Sequence, residues 1–410
     1  MMRTFKALRV IGLAMCLTFG MLSLTATGVA FAKKPKLLLS ETEQEELKEI
    51  LKHVKYEASG IDGKPTVQVT GANVQILSGA GSEASLNGEG NLIVGYDEAP
   101  GTQTGSNNLM LGGTQSYTSF GSLIGGDGNT AAGQESIVFG GDNKAEGTFS
   151  GVLAGQVNTA SGYAASVTGG SGNTASGNES SVAGGEDNTA TGAADHSSVA
   201  GGSDNKTEAK WAVVSGGAVN KATGVQSSVS GGGFNLAAGE RSSVSGGELN
   251  DAGAGESAVS GGVLNGTSAA FASIAGGKEN RANRLGSAIG GGYFNETTGE
   301  YAAVAGGDFG KAEGRYSALT GGEHNKATGE AASVSGGSDN LASGGGSTVS
   351  GGTSNKATEG GASVAGGLDG TAGALFASVL GGYLNEALGE ESAILGSEKI
   401  KVTAKLGIYP

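Results

Sequence analysis

Cysteine is all but missing from this chain. The single one, Cys16, lies in the first apolar stretch, so the rest of the chain has no disulfide and no thiol for catalysis or metal binding. Aromatic residues make up 5% of the 410 residues, with one Trp, and there are only 4 Pro and 3 His. So few large side chains cannot fill the interior of ordinary globular domains of this length. The histidines, His53, His196 and His324, are far apart in sequence and give acid–base catalysis little to work with. Basic residues are outnumbered, 25 against 39 acidic, and the formal net charge is −14. That balance argues against nucleic acid as a partner and keeps an extended surface soluble. What the chain has in excess is glycine, 81 residues. Such a content fits either a disordered chain or one built on repeated tight turns, and a fixed spacing decides for the second.

Residues 1–32 read as a secretory signal peptide. Arg3, Lys6 and Arg9 precede an apolar run from Val10 to Leu24, and Ala30-Phe31-Ala32 fits a small-x-small cleavage site. Leu13-Ala14-Met15-Cys16 offers a lipobox alternative, weakened by the bulk of Met15. No later stretch is apolar enough to span a membrane as a helix, so the mature chain is expected to carry no transmembrane helix and to be extracellular or held at the cell surface.

Residues 33–57 read as an arm followed by a short amphipathic helix. Ser40 is its N-cap, with Glu43 as capping-box partner, and about sixteen residues are expected to run through Tyr56. Leu47, Ile50, Leu51 and Val54 share one face, which either caps a solenoid end or joins subunits as a coiled coil. Residues 58–90 read as capping strands: after a turn at Gly60–Gly63, the stretch from Thr66 to Leu77 alternates in hydropathy.

From residue 91 to 396 one unit repeats. Its apolar position falls at Ile93, Met110, Leu123, Val138, Val152, Val167, Val182 and Val199, then at every fifteenth residue through Ile394. The fullest copy runs Ser228-Val229-Ser230-Gly231-Gly232 through Asn235, Ala237 and Gly239 to Ser242. Fifteen residues are too few for a pair of helices and suit one coil of two short strands and two turns. The expected fold is therefore all-β, a parallel β-solenoid of about 21 coils. A β-branched residue faces a small one across each coil (Ala131, Ala145, Ala160, Ala175, Ala190, Ala222, Ala237, Ala327), a thin core that needs few large side chains. The irregular tail, residues 397–410, reads as the C-terminal cap.

An Asn recurs in nearly every coil, at Asn205, Asn220, Asn235, Asn250, Asn265, Asn280 and Asn295 and at equivalent positions on either side. Coils stack about 4.8 Å apart, so these amides are expected to form a hydrogen-bonded ladder. Asn also tolerates left-handed turn geometry. Gly310 and Gly370 replace it twice, which suits a turn demand better than a chemical role. The residue before the Asn is apolar in coils near the middle: Val219, Phe234, Leu249, Leu264, Phe294 and Phe309. These six side chains either pack beneath the turn or form a ridge that meets a ligand or a second subunit.

Ser181-Val182-Ala183-Gly184 with Asn188-Thr189-Ala190-Thr191-Gly192 resembles the head repeats of YadA-like trimeric autotransporter adhesins, and the likeness covers about residues 91–396. The unit is one residue longer here, and the usual stalk and C-terminal anchor barrel are not visible. The resemblance implies a left-handed parallel β-roll, a homotrimer, and attachment at a bacterial surface.

Enzymatic readings fare poorly. No acid recurs at one register as a carbohydrate-acting β-helix would require, and the Gly-Gly pairs are followed by neutral Asn rather than by calcium-binding Asp. Thr159, Thr174 and Thr189 begin an ice-binding array that Lys206, Lys221 and Leu236 break. No catalytic residue, metal or cofactor is expected. The function expected is adhesin-like attachment to a surface, matrix or host ligand, or self-association; a structural scaffold rod is the alternative.

Overall fold

The structure, a computed structural model, describes residues 39–98 and 101–410. The signal peptide expected at 1–32 lies outside the described residues. The chain divides into two compact units, with the boundary in sequence between Gln75 and Ile76.

In the first unit, helix α1 spans Glu41–His53. Its capping box forms as expected: Ser40 N–H donates to Glu43 Oε2 at 2.8 Å, and Glu43 N–H donates back to Ser40 Oγ at 3.3 Å. The helix ends three residues before Tyr56, because β-branched Val54 turns extended (φ −116°, ψ 119°). Strand β1, Val54–Glu57, then pairs antiparallel with β2, Thr66–Val69, in the register Val54↔Val69 and Tyr56↔Val67. The alternation beyond Val69 forms no strand.

The second unit is a parallel β-solenoid of about 21 coils. Each coil contributes one strand to each of two sheets. Ser228–Val229 pairs with Ser243–Val244 in the first sheet, and Leu236–Ala237 with Asp251–Ala252 in the second. Most strands are two residues long, since a fifteen-residue coil with two turns leaves room for no more. Val229 and Ala237 point inward and are fully buried, as are their equivalents in nearly every coil. Removing each Val from water contributes about 2 kcal/mol.

Ser78 to Gly90 hold no strand but bind the first coils. Ser78 N–H donates to Asn107 Oδ1 at 3.0 Å, and Asn87 N–H to Ser106 Oγ at 3.0 Å. The first coils differ from the simple repeat. Ile93 pairs with Met110 but is 45% exposed. The next core residue is Ile124, not Leu123: Ile124 is fully buried and stands in register with Met110 and Val138. The coils there have fourteen residues, and a template of fifteen places the choice between two adjacent apolar residues one position too early. Tyr117 takes the place of the small residue. Its burial, with Asp97 close to the hydroxyl at 3.3 Å, pushes its pKa up to about 12.

The tail is not irregular. Lys401–Val402 pairs with Glu386–Ala387, and Ile408–Tyr409 with Ala393–Ile394, so residues 397–410 extend the solenoid in register.

Candidate functional site

The first turn of each coil places three consecutive demands on the backbone. The second Gly of the pair takes a positive φ, +84° at Gly232, and a Cβ there would collide with the carbonyl oxygen of Gly247 in the next coil. The residue before the Asn is also left-handed, with φ +54° to +60° in every coil from Asp187 to Lys399. The Asn then returns to a negative φ and turns its side chain inward.

The Asn ladder is present, but its bonding differs from stacked amides. Asn250 is buried; its backbone N–H donates to Asn235 Oδ1 at 3.0 Å, and its own Oδ1 accepts from Asn265 N–H at 3.1 Å. Its Nδ2 donates to the carbonyls of Gly246 (3.0 Å) in its own coil and Gly262 (2.9 Å) in the next. Asn205, Asn220, Asn235, Asn265, Asn280 and Asn295 repeat the pattern. The amide is therefore a side-chain replacement for backbone hydrogen bonds that a sharp turn cannot make. The left-handed conformation expected of the Asn belongs to its predecessor.

That predecessor is the ridge. Phe234 is 54% exposed and Phe309 36%, with Leu249, Leu264 and Phe294 between them and Val219 half-buried. The Phe and Leu side chains are exposed at the tip of the turn rather than packed beneath it. Around Asn295 the ridge becomes an aromatic cluster. Phe294 and Phe309 stack with centroids 5.5 Å apart and planes at 26°. Tyr293 meets both edge-on, and His324 stacks on Phe309 at 4.9 Å. His324 is thus a surface residue, as its turn position suggests, and also the end of an aromatic column. Beside this column, on the second sheet, Arg281, Glu296 and Lys311 share a register. The two columns enclose an open cleft of about 310 Å³.

A second ridge, missed in the sequence, runs along the other turn. Phe149, Trp211, Phe271, Tyr301, Tyr316 and Phe376 take φ +54° to +59° there. Trp211 stacks on His196 at 5.7 Å, and Tyr301 on Tyr316 at 5.4 Å. Glu, Gln, Arg and Ala alternate with these rings along the register, so no apolar run betrays it; the positive φ was the missing signal. Next to His196, Lys210 and the N–H of Asn178 hold the Asp195 carboxyl below the usual carboxylate range.

The outer faces of the two sheets contrast. On the first, from Gly151 to Leu395, every outward residue is uncharged and most are Ser or Ala. On the second, Lys206, Lys221, Arg281, Glu296, Lys311, Lys326 and Lys356 stand in one register. Among the described residues no three His, Cys, Asp or Glu side chains converge, and no helix is long and apolar enough to cross a membrane. Comparison with protein-family models and with curated proteins returns no match to this chain.

Proposed function

We propose that this chain is an exported, non-catalytic rod that attaches to a surface, a matrix or a host ligand through the side chains of its turns, in the manner of the YadA-like adhesin heads its repeats resemble. The observation that carries the reading is the ridge. Leu and Phe occupy a left-handed position that costs a non-glycine residue about 1–2 kcal/mol, and they stand exposed there instead of filling the core. Strain of this kind accumulates where a surface has work to do. Self-association into a homotrimer through the same ridge belongs to this reading.

The test is to coat beads with the purified chain, measure their attachment to immobilised extracellular matrix, and weigh the chain by light scattering. Replacing Phe234, Leu249 and Phe294 by Asp is expected to abolish attachment and any trimer. Attachment and mass both unchanged would remove the ridge from the account. A second reading, a scaffold rod, draws on the uncharged Ser/Ala face of the first sheet, which lets neighbouring rods approach closely. Lateral bundling that survives the three Asp substitutions would favour it.

A further inference from the structure

We infer that the cleft between the Phe294–Phe309 column and the Arg281–Glu296–Lys311 column binds a carboxylated sugar, an inference that rests on the ridge being an attachment surface. The cleft has one apolar wall and one polar wall. The polar wall presents a cation, an anion and a cation at successive coils, about 4.8 Å apart. Such a wall suits a ligand with several hydroxyls on one side and a C–H surface on the other, which is the chemistry of a sugar ring.

The charges select the acid. Glu296 is engaged by Lys311 Nζ at 3.4 Å and by Asn283 Nδ2 at 3.2 Å, and Glu279 faces Lys278 Nζ at 3.5 Å. Arg281, among the described residues, makes no ion pair and no side-chain hydrogen bond. Its guanidinium is the uncommitted group of the cleft, and its planar fork matches a carboxylate with two parallel hydrogen bonds. Two cations and two carboxylates line the space, and Lys311 is engaged by Glu296, so Arg281 is left to pair one negative charge and the second charge of a phosphate dianion meets no cation.

The repeat also changes here. Gly310 replaces the ladder Asn, Leu319 replaces the core Val, and Thr297 replaces the core Ala, all within the coils that carry the aromatic cluster. A rod whose folding is met by its repeating positions shows its specific chemistry where it departs from them.

The experiment titrates the purified full-length chain by calorimetry with three probes: a glucuronate-containing tetrasaccharide, the neutral N-acetylglucosamine tetramer, and inorganic phosphate. Binding of the acidic sugar alone is expected. Arg281→Gln should weaken it about tenfold or more, the effect of one charged hydrogen-bonding partner. The pair Phe294→Gly and Phe309→Gly should abolish it while leaving the melting temperature equal or higher, because glycine relieves the left-handed backbone. Equal binding of the neutral sugar or of phosphate overturns the inference, as does binding indifferent to Arg281→Gln or no binding of any probe at millimolar concentration. Bead attachment that persists without sugar binding sinks the sugar and leaves the attachment reading intact; sugar binding without bead attachment does the reverse.

Discussion

Asn235 and Phe234 are neighbours in the chain and opposites in the structure. The inner side of the first turn is buried, and with few exceptions it is chemically constant from coil to coil. The outer side, one residue earlier, is exposed and holds Phe, Leu, Val, Glu, His, Asp, Ser or Lys. Yet the backbone of that outer residue hardly changes, φ +54° to +60° from Asp187 to Lys399 whatever the side chain. Glycine would meet the demand at least strain, and among these positions only Gly128 and Gly172 use it. The fold therefore rests on the inside of the turn and tolerates display on the outside. Each prediction below tests that division.

The largest effect is expected inside. Asn250→Ala removes three hydrogen bonds made by its side chain and leaves the Asn265 N–H without its acceptor. The expected cost is about 3 kcal/mol or more. Because coils are coupled to their nearest neighbours, amide exchange should accelerate most around residues 246–265. A loss under 1 kcal/mol in denaturant unfolding would mean that water replaces the amide and that the ladder is not what holds the turn.

The two glycines that interrupt the ladder sharpen the comparison. At both, an added Cβ would lie 2.9 Å from the Oδ1 of the preceding ladder Asn, so the difference lies in the core carbons: at Gly310 the Cβ would also lie 3.0 Å from Leu319 Cδ1, while at Gly370 the nearest carbon, Val379 Cγ1, is 3.4 Å away. Gly310→Asn should therefore destabilise by about 1–3 kcal/mol through overpacking. Gly370→Asn should be neutral or stabilising, since it rejoins Asn355 to Asn385. Adding Leu319→Val to Gly310→Asn should recover most of the loss. If both glycines respond alike to Asn, the core side chain is not the cause.

Much of this was legible in the sequence because it repeats. The interval, the Val-class and Ala positions and the Asn all recur where backbone pairing forces them to, and a β-branched residue opposite a small one reads directly as two thin sheets. Errors arose where the period or the propensity misleads. A fourteen-residue coil shifted Leu123 into a core place that Ile124 holds. Asn, a common left-handed residue, drew the positive φ that Phe234 carries, since nothing in Phe suggests it. Local pattern carries the helix on to Tyr56 because the pairing of Tyr56 with Val67 depends on a hairpin that such pattern does not show. The tail reads as irregular because it lacks the Gly-Gly pair, although Val402 and Ile408 keep the strand register. The aromatic cluster needed three dimensions: Tyr293, Phe294, Phe309 and His324 span two coil lengths, and only stacking makes them one surface.

The smallest effect is expected outside, and it has the opposite sign. Val219 is β-branched, the residue class least suited to a left-handed backbone, at φ +59°. Val219→Gly should raise stability by about 1 kcal/mol, the relieved strain less the extra chain entropy that glycine loses on folding. Leu249→Gly, with an unbranched Cβ, should gain less, and Asp339→Gly least of all because Asp tolerates this conformation. Denaturant midpoints for the three variants give the order directly. Uniform losses would mean that contacts between ridge side chains of adjacent coils outweigh the strain. The ridge would then belong to the folding of the rod, and the division between its inner and outer sides would not hold.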